Sequence, residues 1–125
     1  MTAILDHVAI GVSDLAASKA FYEQALAPLG YRVLMQPGPV EIGFGVDRPD
    51  FWIELRPEGV TTAHLAFRAD GPESVNAFHR AALEAGGRQN GDPGLRPQYH
   101  PRYYGAFVLD PDGNNVEAVC HTGGG

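Results

Sequence analysis

The fold is decided by residues 6–31, DHVAIGVSDLAASKAFYEQALAPLGY, because a second stretch of the chain repeats their pattern. Residues 63–88, AHLAFRADGPESVNAFHRAALEAGGR, align with them without a gap at an offset of 57 positions. Seven residues are identical between positions 7 and 30, among them His7 with His64 and Gly30 with Gly87. An internal repeat of this kind indicates two copies of one supersecondary unit.

Each copy is predicted to begin with a strand and to continue with a helix. Large apolar residues at positions 8, 10 and 12 alternate with residues at 7, 9 and 11, which is the period of a strand with one buried face. Positions 65, 67 and 69 repeat this pattern. Ser13 or Asp14 is expected to cap the first helix and Asp70 the second, and Gly30 and Gly86 are expected to end them.

Three further strands are expected to complete each copy, which makes the repeated unit βαβββ. They are Tyr31–Met35, Val40–Val46 and Phe51–Leu55 in the first copy, and a segment near Arg88–Gln89, Tyr104–Leu109 and Asn115–Cys120 in the second. The sequence therefore predicts one α+β domain, residues 1–125, with modules at about 1–58 and 62–121. Gly91–Tyr103 is too rich in Pro and Gly for regular structure, and long loops of this kind often carry function.

Composition narrows the class of function. The chain has 125 residues and a formal net charge of −6, which argues against non-specific nucleic-acid binding because that requires a basic surface. No apolar run approaches the ~18 residues of a membrane span, so no membrane partner is expected. The single cysteine, Cys120, forms no intrachain disulfide, which makes the reducing cytoplasm the expected location.

Each module offers one histidine and one glutamate on the strand face turned away from its helix. His7 and His64 begin the first strands, and Glu54 and Glu117 lie on the last strands. Two imidazoles and two carboxylates suit a divalent ion such as Zn²⁺, Ni²⁺, Mn²⁺, Co²⁺ or Fe²⁺. An ordinary polar cavity, or an inherited constellation that holds no ion, is the alternative.

The Gly91–Tyr103 loop is predicted to contribute to ligand binding because arginines interleave with aromatic residues there. Aromatic walls with a few cationic donors suit a small anionic or aromatic ligand. The alternative is that these side chains cover a hydrophobic edge of the sheet. The predicted substrate-binding residues are Trp52, Arg68, Arg96, Tyr99, His100, Arg102 and Tyr103.

Three segments, DHVAIGVSDLAASKAFYEQALAPLGY, HLAFRA and LDPDGNNVEAVCH, resemble the vicinal oxygen chelate superfamily. That superfamily includes glyoxalase I, bleomycin resistance proteins, fosfomycin-resistance proteins and extradiol dioxygenases. The resemblance covers nearly the whole chain, and it implies paired βαβββ modules in a U-shaped mixed sheet with helices on the outer face. It also implies that His7, Glu54, His64 and Glu117 bind a metal ion, in a homodimer with the site at the subunit interface.

The activity that this resemblance implies is that of a glyoxalase-like lyase or isomerase acting on a small molecule with vicinal oxygens. Glu54 or Glu117 is the expected catalytic residue, moving a proton between neighbouring carbons. Glyoxalase I usually has an arginine for the glutathione carboxylate where this chain has Gly11, and Arg68 stands at the repeat-related position. An anionic substrate other than the glutathione hemithioacetal is therefore expected.

Two other functions remain open at the level of sequence. One is a metal-free protein that binds and sequesters a small molecule such as an antibiotic. The other is an Fe(II) extradiol-type dioxygenase, for which His100 and Tyr103 would be loose counterparts of the catalytic residues.

Overall fold

The computed structural model describes residues 4–124, and in that range the predicted α+β architecture of two βαβββ modules is confirmed. The first module consists of β1 (Val8–Val12), α1 (Leu15–Leu26), a 3₁₀ turn (Ala27–Leu29), β2 (Arg32–Met35), β3 (Glu41–Gly45) and β4 (Pro49–Leu55). The second consists of β5 (His64–Arg68), α2 (Pro72–Glu84), β6 (Arg88–Leu95), β7 (Tyr104–Leu109) and β8 (Asn115–Cys120). Neither described helix is long and apolar enough to cross a bilayer.

The strands of each module form a four-stranded mixed sheet. The strand orders are β1-β4-β3-β2 and β5-β8-β7-β6, so the first and last strands of each module are neighbours. These neighbours, β1 with β4 and β5 with β8, pair in parallel, whereas the other pairs are antiparallel. This topology places the two histidine-bearing strand ends beside the strands that carry the glutamates.

The two modules share one hydrophobic core. Helices α1 and α2 cover one face of their respective sheets and contact each other. Phe51 of β4 and Phe67 of β5 lie on the helix-covered faces, and their ring centroids are 5.3 Å apart. Because both helix-covered faces contribute to a single buried cluster, the two helix-free faces are directed outward.

The N-cap of α1 is the one that the sequence predicts, whereas the N-cap of α2 is a different residue. The Asp14 carboxylate accepts a hydrogen bond from the Ala17 N–H at 3.0 Å and caps α1 as expected. The expected Asp70 cap of α2 is wrong, because the N-cap is Gly71 with extended backbone and Pro72 takes the first helical position, where proline is favoured. Gly86, with φ of 98°, follows the C-cap of α2, whereas α1 ends at Leu26 and Gly30, with φ of 87°, ends the 3₁₀ turn that follows α1.

The expectation of an irregular loop from Gly91 onward is also wrong in its first part. Strand β6 continues through Leu95, with interruptions of the register around Gly91. Pro93 is compatible with this strand because β6 lies at the edge of its sheet, where one side of the backbone has no ladder to maintain. The loop between β6 and β7 is therefore shorter than the sequence suggests.

A buried carboxylate joins the first module to the second. Asp110, in the turn between β7 and β8, is 1% exposed and accepts a hydrogen bond from the Tyr22 hydroxyl at 2.5 Å. Its other donors are the Asn114 side chain and the backbone N–H groups of Asp112 and Asn114. Burial, together with the Asp110 charge, raises the pKa of Tyr22 well above its usual value, so the phenol remains a donor.

We expect Tyr22→Phe to lower the free energy of unfolding by roughly 1.5–3 kcal/mol, because a buried carboxylate loses one of its donors. Urea unfolding followed by circular dichroism measures this loss. Tyr104→Phe is the matched control, since the Tyr104 hydroxyl donates to the neutral side chain of Asn76. A loss no larger than that of the control would contradict the role of Asp110 in joining the modules.

Candidate functional site

The helix-free face of the second sheet carries a buried carboxylate bound to a histidine. Glu117 is 1% exposed, and its Oε1 lies 2.8 Å from Nε2 of His64. The register of β5 and β8 explains this contact, because Ala66 stands opposite Glu117 and His64 lies two residues earlier on the same face. The structure thus brings together two of the four predicted metal ligands.

Tyr103 and Phe107 complete the surroundings of this pair. The Tyr103 hydroxyl donates to Oε2 of Glu117, so both carboxylate oxygens have a partner. Burial, the hydrogen bond to Glu117 and the charge of Glu117 raise the pKa of Tyr103. Phe107 pairs directly with Glu117 across the ladder, and its ring centroid is 6.1 Å from that of His64. Sequence reasoning missed Phe107, although alternation along β7 places it on the Glu117 face.

The corresponding face of the first module is more open. His7 is exposed, and its Nδ1 is 2.7 Å from the Asp6 carboxylate. The bond to His7, followed by the charge of Arg48, lowers the pKa of Asp6. Glu54 forms an ion pair with Arg56. A cavity of about 340 Å³ is lined by His7, Ala9, Glu41, Pro49, Trp52 and Glu54.

The two histidine–glutamate pairs are not related by the internal repeat. Glu117 stands opposite Ala66, and the repeat-related residue Ala9 stands opposite Trp52. Glu54 lies two residues further along β4, opposite Gly11. The alternation of each strand gives its faces but not its register against a parallel neighbour, so the sequence could not reveal this offset.

The structure does not bring all four predicted ligands together in one chain. Residues 4–124 contain no group of three or more His, Cys, Asp or Glu side chains placed to hold a metal ion. His7 and Glu54 line a cavity of the first sheet, whereas His64 and Glu117 lie on the outward face of the second. The four predicted ligands of one chain therefore form two separate pairs, the predicted half-sites His7–Glu54 and His64–Glu117.

The arginines predicted to bind substrate are placed in different ways. Arg96 donates to the backbone carbonyls of Gly94 at 2.9 Å and Asp92 at 2.7 Å, and its guanidinium lies 5.3 Å from the Phe107 ring centroid. Arg96 therefore supports the ring of Phe107, which lines the Glu117 site. Arg68 is exposed and lines a cleft of about 170 Å³ between the modules.

The other predicted loop residues form an aromatic group beside Tyr103. The ring centroid of Tyr103 is 4.8 Å from that of Tyr99 and 5.5 Å from that of His100. His121 joins this group, with its ring 5.6 Å from that of Tyr103. Trp52 lies in the first module and is not part of it.

The last residues that the structure describes, 121–124, pack against the body of the second module. The Gly123 N–H donates to the Arg102 carbonyl at 2.9 Å, and Gly123 is buried against Tyr104. The Arg102 guanidinium reaches the Thr122 carbonyl at 3.4 Å. The chain end therefore packs on the loop that carries Tyr103, while Gly125 lies outside the described residues.

Comparison with known proteins gives a consistent assignment of the fold. The family model described as Glyoxalase/Bleomycin resistance protein/Dioxygenase superfamily matches residues 4–118. A glyoxalase/bleomycin resistance protein from Albidiferax ferrireducens is 30% identical, with a TM-score of 0.82 over 94% of this chain and 98% of that one. A glyoxalase-related enzyme from Fulvimarina pelagi is 22% identical, with a TM-score of 0.72 over 90% and 84%.

A glyoxalase I mutant from Zea mays is also similar in fold, at 22% identity and a TM-score of 0.67. The alignment covers 92% of this chain but 46% of the maize chain. No curated protein matches the sequence.

We expect Tyr103→Phe to lower the free energy of unfolding by roughly 1.5–3 kcal/mol, because Oε2 of buried Glu117 loses its donor. Chemical unfolding at neutral pH measures the change. Tyr99→Phe serves as control, since Tyr99 is 60% exposed and contacts Tyr103 through its ring. Equal stability of these two variants would show that the bond to Glu117 does not hold the loop.

Proposed function

Because the chain belongs to the Glyoxalase/Bleomycin resistance protein/Dioxygenase superfamily, we propose that it is a glyoxalase-like, metal-dependent lyase or isomerase. Its proposed substrate is a small anionic molecule with two adjacent oxygens. The observation that carries this proposal is the contact of buried Glu117 with His64 on a face that no helix covers. Burying a carboxylate is costly, so its position beside an imidazole on an outward face favours a chemical role.

The donor atoms of this pair fit a divalent ion. Imidazole nitrogen and carboxylate oxygen are ligands that Zn²⁺ and related ions accept, and the two atoms lie 2.8 Å apart. Catalytic sites generally use three protein ligands, so His64 and Glu117 supply only part of the set. When bound, the ion would act as a Lewis acid toward the two adjacent oxygens of the substrate.

A homodimer would supply the missing ligands. The outward direction of the helix-free faces supports this proposal, since the half-sites of one chain lie on different sheets around a shared core. In a twofold dimer the first-module face of one copy can oppose the second-module face of the other. His7 and Glu54 of one protomer would then complete the site at His64 and Glu117 of its partner.

Glu117 and Tyr103 are the groups in this chain best suited to handle a proton. The Glu117 carboxylate can accept a proton from a substrate carbon, and the Tyr103 hydroxyl donates a hydrogen bond to it. The pKa of Tyr103 is raised further above neutrality, so its hydroxyl keeps the proton that it donates to Glu117. Glu54 is the second candidate base, and its carboxylate is held in place by the ion pair with Arg56.

The close packing at Gly11 supports a substrate other than the glutathione hemithioacetal. A Cβ added at Gly11 would lie 2.4 Å from the Gly59 carbonyl oxygen, so the backbone leaves no room for a side chain there. The arginine that glyoxalase I usually has at this position is therefore sterically excluded. Exposed Arg68 and Arg102 remain as cationic groups for a smaller anion.

A metal-free binding protein is the second candidate. The first-module cavity supports it, because half-buried Trp52 forms part of a wall large enough for a small organic molecule. Quenching of the fluorescence of this single tryptophan by a ligand, with equal affinity in EDTA and in added metal, would favour this function over the first.

We expect the purified protein to bind one divalent ion per chain when Zn²⁺, Ni²⁺, Mn²⁺, Co²⁺ or Fe²⁺ is supplied. His64→Ala and His7→Ala should each lower the affinity at least tenfold, because each removes one ligand. Metal analysis after dialysis and titration calorimetry measure the binding. His79→Gln is the control, since His79 lies in α2, away from both half-sites, and its buried ring contacts Gln89 of β6. Unchanged affinity in both alanine variants would refute the metal site.

We expect sedimentation to give twice the chain mass of 13.4 kDa, and mixed variants to reveal shared sites. Neither His7→Ala nor His64→Ala dimers contain an intact site. After unfolding and refolding together, half the dimers are mixed and one of their two sites is intact, so roughly one quarter of the metal capacity returns. No recovery, with dimers still present, would mean that each site is formed within one chain.

A further inference from the structure

Two imidazoles outside the proposed ligand set meet at the rim of the Glu117 site. His100 lies in the loop before β7 and His121 directly follows β8. Nε2 of His100 is 2.8 Å from Nδ1 of His121, and their ring centroids are 5.1 Å apart. Chain segments about twenty positions apart are therefore joined by one imidazole–imidazole hydrogen bond.

The hydrogen bond of Arg102 defines where the protons lie. The Arg102 backbone N–H donates to Nδ1 of His100 at 3.1 Å, so this nitrogen carries a lone pair and no proton. His100 therefore carries a proton on Nε2, which donates to Nδ1 of His121. His121 then carries its own proton on Nε2.

The Nε2–H group of His121 is available to a ligand. The side chain is exposed, and among residues 4–124 no acceptor is bonded to this nitrogen. The Tyr103 ring lies between His121 and Glu117: its hydroxyl donates to Glu117 and its centroid is 5.6 Å from the His121 ring. Glu117 and His121 therefore both contact the same Tyr103 side chain.

From this arrangement we propose that His121 is a further substrate-binding residue, which donates a hydrogen bond from Nε2 to the carboxylate of a small aromatic anion. This proposal rests on the proposed function, since the other end of the ligand lies at Glu117 and His64. The exposed ring of Tyr99 and the ring of Tyr103, whose planes are inclined by 57°, provide an aromatic wall. The guanidinium of Arg102, which reaches the carbonyl next to His121, favours a negative charge there.

His100 acts in this site as a positioning residue. A free imidazole exchanges its proton between the two nitrogens, and only one tautomer presents a donor to the ligand. The chain of bonds from Arg102 through His100 fixes the tautomer of His121. A donor fixed before binding costs less to order when the ligand arrives.

The tautomer is tested by ¹⁵N NMR of histidine side chains in the metal-free full-length protein. We expect the proton of His121 on Nε2 in the wild type and a mixture of tautomers in His100→Ala. His100→Gln should restore the wild-type signal, because its amide N–H can replace the Nε2–H of His100. A proton on Nδ1 of His121 in the wild type, or a fixed tautomer in His100→Ala, would overturn the assignment.

Ligand binding is tested with 3,4-dihydroxybenzoate, whose two adjacent oxygens lie at the end of the ring away from its carboxylate, by titration of the metal-free protein. We expect His121→Ala to weaken binding about tenfold, the size of one lost hydrogen bond to a charged group. Thr122→Ala is the matched control and should bind as the wild type does, because the hydrogen bond from Arg102 goes to the backbone carbonyl of Thr122, which the substitution keeps.

Equal affinity in the wild type and in His121→Ala, or no binding of 3,4-dihydroxybenzoate to the wild type, would overturn the proposal. Both measurements use metal-free protein, so their outcome is independent of whether the metal-binding proposal succeeds or fails. If His121→Ala binds the ligand as well as the wild type does while the protein still binds a metal ion, the proposed enzyme stands but His121 is not part of its substrate site.

Discussion

The shared core between the two modules determines where every candidate functional group lies. Phe51 and Phe67 meet where the helix-covered faces pack together, and α1 contacts α2 in the same layer. Apolar burial of this kind is the dominant favourable term in folding, so the modules are not independent units. The consequence is that the helix-free faces of the two sheets point outward, which separates the histidine and glutamate of one module from those of the other.

Two buried carboxylates, Asp110 and Glu117, satisfy the same physical requirement with different consequences. Asp110 has four donors, two of them backbone N–H groups of its own turn, and is held in a rigid structural role. Glu117 has two side-chain donors, His64 and Tyr103, which come from β5 and from the end of a loop. Side-chain donors can be exchanged for a ligand without breaking the backbone, whereas the two backbone N–H donors of Asp110 belong to its own turn and cannot be exchanged in this way.

The sequence predicted the elements well because they depend on local periodicity and turn chemistry. The bounds of β7 and β8 and the cap at Asp14 follow from alternation and from one carboxylate beside a free N–H. Contacts between distant segments could not be predicted in this way. The two-residue offset of Glu54 from the repeat depends on strand register, and the His100–His121 bond depends on how the chain end packs, neither of which is encoded in a single strand.

The residues that stand opposite the repeat-related Ala9 and Ala66 give the two halves of the repeated fold different chemical character. Where the second module places Glu117 opposite Ala66, the first places Trp52 opposite Ala9. Trp52 packs so closely on Gly43 that a Cβ there would lie 2.9 Å from its ring, which fixes the indole in place. One half-site is therefore an aromatic wall with Glu54 at its edge, and the other is a buried carboxylate with imidazole and phenol partners. Opposed across a twofold axis, these surfaces would form an asymmetric pocket, with one side suited to binding the body of an organic ligand and the other to acting on its oxygens.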